Sequence, residues 1–408
     1  MTKISIYTLT SALHDEQTIE TATHEFLTSI QIDYTLRGAD FSDYGTNLLS
    51  LIYVRTGGTE GTFKQLLPQL LKQSSQPIYL LTSGKSNSLA ASMEILSYLQ
   101  QQGVAGEILH GSASYIRARI VTLLQVSQAL SRLQGQRLGV IGQPSDWLIS
   151  SQANSESIEA KLGVKLVDVD IKEVLELFND NKFKNSTLSI HPSKIATPSV
   201  TSALPDAKRL YHVLRHLVDI HQLSAFTIRC FDLLTAVHNT GCLALAQLNA
   251  DGIVAGCEGD VPTALSMLLS QALFGITGFQ ANPSEINPET GMITLAHCTI
   301  PFNMVTGYEL DTHFESGIGV GIRGFMREGP VTIFKVSGDL ARHFVAQGEL
   351  VSNLCNRDLC RTQLHINLGS ASNKQHAIRY FLTHPIGNHH VVIPGHHALQ
   401  LEQLLASL

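Results

Sequence analysis

Two carboxylates, Glu258 and Asp260, stand two residues apart in Gly256-Cys257-Glu258-Gly259-Asp260, between an apolar run at Gly252–Ala255 and a helical run from Val261 to Leu273. That spacing puts acid chemistry at a strand-to-helix junction, where side chains reach solvent yet are held rigidly and a helix N-terminus favours negative charge. The bland alternative is structural. Asp260 is a good N-cap and Pro262 lies where a first helical turn tolerates proline, so the pair also reads as a cap beside a surface acid. Other chemistry-bearing residues are spread along the chain. Eighteen histidines thicken toward the C-terminus at His384, His389, His390, His396 and His397, which favours a transition-metal site without locating it. Arg229 closes a strand-like run, where it can hold a substrate oxygen or an anionic group, or simply pair with a neighbouring acid.

The elements that must position these residues follow from periodicity. Lys3–Leu9, Leu48–Val54 and Ile78–Thr82 read as strands and Asn87–Gln102 as an amphipathic helix, which predicts an α/β domain with a parallel sheet over residues 1–135. The loops 55–61 and 82–86 follow strand ends, where open α/β sheets place ligands. The second is not a Walker loop, because Tyr79 stands where the first glycine is needed. After the helical run Ser114–Leu133 the βα pattern restarts at Leu138–Gly142 and passes Trp147, the only tryptophan. It continues through a strand at Lys165–Val169, a helix at Lys172–Phe178, a polar connection over Asn179–Val200, a helix at Asp206–Gln222 and a strand at Ala225–Cys230, with a further helix at Thr240–Leu248. This predicts a second α/β domain, 136–289, carrying the acidic motif. Beyond Asn282-Pro283 short strands separated by Gly, Pro and Asn predict a small β-rich, barrel-like or sandwich domain over 290–408. The glycines of Ser316–Gly321 read as turn or bulge residues.

Composition narrows the function. A formal charge of −6 and no Lys or Arg cluster give no case for nucleic acid. The N-terminus turns polar too soon for a signal peptide or a membrane span, so the expected setting is the cytoplasm, with no membrane partner. Six cysteines without a CxxC, the nearest pair being Cys355 and Cys360, predict reduced and mostly buried thiols.

Six pieces carry a resemblance: Thr227–Asp232, Leu248–Glu258, Gly259-Asp260 with its helix, His297-Cys-Thr-Ile-Pro301, His313-Phe-Glu-Ser-Gly317 and Gly387-Asn-His389. In their order and spacing the chain resembles the L-fucose isomerase-like family, relatives of the L-arabinose isomerases, across its second and third segments. The resemblance implies two Rossmann-like domains and a barrel-like domain in a homo-oligomer with sites near subunit boundaries. It also implies aldose–ketose isomerisation of a small-molecule sugar with a divalent metal, typically Mn²⁺.

By that resemblance Glu258 binds metal and exchanges the substrate proton, Asp260 is a helper or a helix cap, and His389 completes the ligands, with His390 in its place if the register slips by one. The resemblance puts His297 near the sugar, and Arg229 and His390 are further candidates for substrate binding. Where the family has a second acid this chain has Asn282, which can coordinate a hard cation through its amide oxygen but carries no charge and cannot act as a base. Asp260 or Glu285 then supplies the missing carboxylate, or one acid works alone. Beside an isomerase, the expectations include an epimerase or lyase on the same scaffold and a catalytically silent sugar-binding homologue.

Overall fold

The computed structural model describes residues 3–369 and 371–408. The chain forms two compact units, 1–131 with Ser407, and 132–406 with Leu408.

In the first unit the apolar runs are fully buried strands, as expected for a sheet covered on both faces. Five parallel strands lie in the order Thr35–Gly38, Ile4–Leu9, Leu49–Val54, Ile78–Leu81, Gly106–Leu109. Alternate residues serve opposite faces. Tyr7, Leu9, Ile52, Val54 and Leu80 pack with Phe63 and Leu67 of helix Glu60–Gln73 and with Ile95 and Leu99 of helix Ser88–Gln101. Ile4, Ile6, Leu51, Tyr53 and Leu81 pack instead with Leu27 and Ile30 of helix Glu16–Ile30 and with Ile116 and Ile120 of helix Ala113–Leu133.

The second unit holds a four-stranded parallel sheet and a closed barrel. The sheet runs Val254–Cys257, Ala225–Ile228, Arg137–Ile141, Lys165–Val169. The barrel is six-stranded and antiparallel, ordered Phe279–Asn287, Met292–His297, Thr362–Asn367, His343–Asn353, Gly329–Val336, His390–Pro394. Its filling obeys the two-residue period of a strand: Phe279 and Ala281, Ile293 and Leu295, Ile333 and Val331, Leu364 and Ile366 all join one buried cluster. The fold is therefore α/β with a β-barrel, and the barrel strands begin at Phe279 rather than past residue 290.

One long element departs from expectation. The helix read as starting at Asp206 begins at Pro198, because Thr197 caps it by accepting a hydrogen bond from the Val200 amide at 3.4 Å and Pro198 occupies the first turn. Pro205 lies inside this helix, a position that made the sequence look like a connection. Helices at Ala371–Thr383 and Ala398–Ala406 likewise interrupt the region that reads as β-rich.

Candidate functional site

The acidic motif is a tight turn between the edge strand Val254–Cys257 and the helix Val261–Phe274. Glu258 takes a left-handed backbone with φ of 66°, and Gly259 follows with φ of 72°. A non-glycine residue in that region is uncommon and is retained where its surroundings fix it. Here the loop 143–145 lies against the turn. The Ser145 amide donates to the Glu258 carbonyl at 2.9 Å, and a side chain at 259 would stand 2.7 Å from the Pro144 Cα, so only glycine fits. Asp260 then caps the helix, its Oδ1 accepting from the Thr263 amide at 2.8 Å, with Pro262 in the first turn.

Asp260 is also the centre of a buried polar network. It is fully inaccessible, and its Oδ2 accepts from His389 Nδ1 at 2.9 Å and from Lys335 Nζ at 3.2 Å. Lys335 donates in addition to Thr263 Oγ1 at 2.7 Å. Burial opposes ionisation of Asp260, but the Lys335 ammonium and the His389 hydrogen bond hold its carboxyl well below the usual range. Burial in turn pushes the Lys335 ammonium down, against the pull of Asp260. An acceptor-only carboxylate fixes the histidine: Nδ1 carries a hydrogen, and Nε2 is turned the other way.

What Nε2 faces is Glu258. His389 Nε2 lies 3.5 Å from Glu258 Oε1, is buried and has no closer hydrogen-bond partner among the described residues. His297, at the end of the barrel strand Met292–His297, puts its Nε2 3.5 Å from the same Oε1 and holds Thr299 Oγ1 with Nδ1 at 3.0 Å. One ligand atom from each of Glu258, His297 and His389 lies within 4.8 Å of the others, and all three residues are buried. Each imidazole thus offers Nε2 to one point while a second group holds Nδ1, the arrangement by which proteins orient metal-ligating histidines. The electrostatics agree. Burial would lower the His389 pKa, but the Glu258 charge and the Asp260 hydrogen bond reverse this and raise it to about 9. Burial likewise opposes the Glu258 charge, and the facing His389 and His297 pull its carboxyl well below the usual range. The cluster is a place where positive charge is stabilised, and its nitrogen and oxygen donors suit a divalent first-row cation.

A pocket of about 480 Å³ of open space, mouth included, leads to this cluster, bordered by Glu258, His297, Asn282, His313, Glu315 and Phe231. Five of the six cysteines line it as well: Cys230, Cys242, Cys257, Cys298 and Cys360. All six are free thiols, four of them buried. The Cys230 and Cys257 sulfurs are 3.0 Å apart, and a hydrogen bond from Cys360 lowers the Cys298 pKa to about 6.

The structure brings together Glu258, Asp260, His297 and His389. Asn282 borders the same pocket, with its Oδ1 accepting from Asn388 Nδ2 at 3.0 Å. His390 stands apart: its Nδ1 donates to the Asn388 carbonyl, its Nε2 accepts from Tyr380, and it packs among Phe344, Tyr380 and Phe381. Burial, aided by Lys335, lowers its pKa to about 3. Glu285 is exposed. Arg229 is committed to a loop, with a two-pronged pair to Asp146 at 2.9 and 3.1 Å, a bond to the Pro144 carbonyl at 2.9 Å and another to Asp232 at 3.1 Å.

Two contributors were not legible as site residues. Trp147 donates its indole N–H to Glu258 Oε2 at 2.6 Å, and Lys335 is buried against Asp260. The single tryptophan beside a strand end was the available signal for the first. A lysine inside the apolar run Pro330–Val336 was the signal for the second.

The fold and site define a two-unit α/β and barrel protein with a buried Glu, His, His cluster at a sheet-to-barrel junction. No family model matches the chain. It is similar to sulfoquinovose isomerases: 23% identical over 231 residues to that of Priestia aryabhattai, 21% over 230 residues to that of Alkalicoccus urumqiensis, and 24% over 228 residues to that of Clostridium sp. (strain MSTE9). The first two matches cover 54% of this chain and 52% of the relative, the third 53% and 51%. The chain spans about half the length of the curated relatives it matches. The likeness is to sugar isomerases, and nothing in it points to L-fucose isomerase in particular.

Proposed function

We propose that the chain is an aldose–ketose isomerase of a monosaccharide, an anionic one such as sulfoquinovose, working with a divalent metal ion such as Mn²⁺. The observation that carries this reading is the convergence of Glu258, His297 and His389, with His389 Nε2 buried and, among the described residues, facing only Glu258 at 3.5 Å. The named activity of the relatives supports the sugar chemistry.

In this reading Glu258, His297 and His389 hold the cation, and Asn282 borders the substrate side of the same pocket. The ion would polarise the sugar carbonyl and stabilise negative charge on its oxygens. Moving a carbonyl between C1 and C2 needs removal of a weakly acidic C–H proton and its return to the adjacent carbon through an enediol. Glu258 carries that proton in this reading, because its carboxylate opens onto the pocket. Positioned acid–base transfer contributes ~10²–10⁴-fold. Asp260 acts behind His389 by fixing its Nδ1 hydrogen. We further propose that the protein is cytoplasmic and that symmetric oligomers complete the site at subunit boundaries; among the described residues no helix is long and apolar enough to cross a membrane.

The test is incubation of the Mn²⁺-supplemented protein with a panel of aldoses, sulfoquinovose among them, in D₂O, following deuterium uptake at C1 or C2. Exchange with one sugar, abolished in Glu258→Gln, is the expected result. No exchange with any sugar, or full turnover by the glutamine variant, overturns the reading.

A further inference from the structure

The Glu258 carboxylate has two oxygens in different company. Oε1 faces His297 and His389, and Oε2 is engaged by the Trp147 indole at 2.6 Å. The indole is held from three sides. Its loop is bonded to the Glu258 backbone through Ser145 and packs on Gly259. The adjoining Asp146 and Pro144 are clamped by the Arg229 guanidinium, whose rigid fork matches a carboxylate in two-pronged fashion. The ring itself meets Phe231 edge to face, 4.8 Å between centroids at 80°. Arg229 therefore does its work through a loop, and the loop ends in the indole N–H that reaches Glu258 Oε2.

We propose that Trp147 is a positioning residue: its indole N–H occupies Glu258 Oε2 and so restricts the carboxylate to one free oxygen, Oε1, aimed at the His297 and His389 ring nitrogens. This rests on the function proposed above and deepens it. A carboxylate free to rotate could present either oxygen, or both at once, to a cation. With Oε2 engaged by the indole, Glu258 presents a single oxygen, Oε1, to the point that the two histidines face. The same bond ties the geometry of the site to Arg229 and Asp146, which touch neither histidine.

Because the chain has one tryptophan, its indole N–H gives a single nitrogen–proton resonance that reads this contact directly. The first arm compares that resonance in the wild type and in Glu258→Gln, which replaces the anionic acceptor with a neutral amide. A large upfield move of the indole proton supports the proposal; an unchanged resonance overturns it. The second arm titrates Mn²⁺ by calorimetry into the wild type and into Trp147→Phe, which keeps a ring against Phe231 but has no N–H. Outer partners of metal ligands are typically worth about 10–100-fold in affinity, and a loss in that range is expected. Equal affinity overturns the proposal. Asp146→Asn, which leaves Trp147 intact and weakens only the Arg229 clamp, is expected to shift the indole resonance and lower Mn²⁺ affinity by a smaller factor, and guards against a phenylalanine variant that fails to fold. A wild-type protein that binds no Mn²⁺ sinks the metal reading, while the resonance comparison still decides the role of Trp147.

Discussion

Replacing Asp260 with asparagine isolates the charge at the centre of the site. Asparagine matches aspartate in size and is as good an N-cap, so the bond to the Thr263 amide survives and the capping contribution changes little. What disappears is the negative charge 3.2 Å from Lys335 Nζ and 2.9 Å from His389 Nδ1, all three groups being shielded from water. Removing one partner of a buried ion pair typically destabilises by about 3–5 kcal/mol, because the remaining charge is left uncompensated. Asp260→Asn is therefore expected to lose about 3–5 kcal/mol at pH 7, against about 0.5–2 kcal/mol for the loss of a cap alone. Urea unfolding followed by the fluorescence of Trp147 measures it, since the only tryptophan lies in the second unit. Two signatures distinguish charge from shape. The deficit narrows as pH rises, because Lys335, its pKa already depressed by burial, sheds its proton more readily than an ordinary lysine once Asp260 no longer holds it. Adding Lys335→Met to the asparagine variant recovers stability, with a coupling of about 0.5–3 kcal/mol. A single variant within about 0.5 kcal/mol of the wild type, or a strictly additive double variant, refutes the argument.

Other outcomes follow from the same geometry. His389→Ala and His297→Ala are each expected to abolish tight Mn²⁺ binding in calorimetry, and a chelator is expected to lower the melting temperature of the metal-loaded wild type but not of the alanine variants. Gly259→Ala combines a left-handed φ with a Cβ 2.7 Å from the Pro144 Cα, so a loss of more than about 2 kcal/mol is expected in urea unfolding. His313 is held neutral by burial, helped by the nearby His297, with its pKa lowered to about 4. The unfolded chain takes up this proton below about pH 6.5 and the folded one does so only near 4, so stability falls as pH drops through that window. The contribution is at most about 3 kcal/mol, and it is expected to vanish from the pH profile of His313→Gln.

Much of the architecture was legible because its strands are short, uninterrupted apolar runs. Lys165–Val169 occupies the expected residues, and Ile4–Leu9 and Leu49–Val54 lie within a residue of them. The helix over 198–220 was partly hidden because a proline inside a helix mimics a loop. At the site, Glu258 and Asp260 stood out because two acids before a helix are visible locally. His389 entered only through a family pattern, and His297 was placed near the sugar rather than beside Glu258 Oε1. No local signal separates the ring of His389 from that of His390. Their neighbours do: Asp260 receives one, and Tyr380 with the aromatic cluster encloses the other. Arg229 and Trp147 act across more than eighty residues of sequence, through a loop whose conformation no local spacing encodes.

The bond between Asp260 and His389 spans 129 positions of the chain, and it orients the last donor to be synthesised. Glu258 and His297 leave the ribosome well before residue 389, so during synthesis the partial cluster offers a cation two donors from flexible chain and no shared point of attachment. In the proposed reading a cation would meet all three donors only once the strand His390–Pro394 pairs with Phe279–Asn287 and carries His389 into place. In the reading proposed above, the order of the residues would tie cation capture to the arrival of His389, the last of the three donors in the chain.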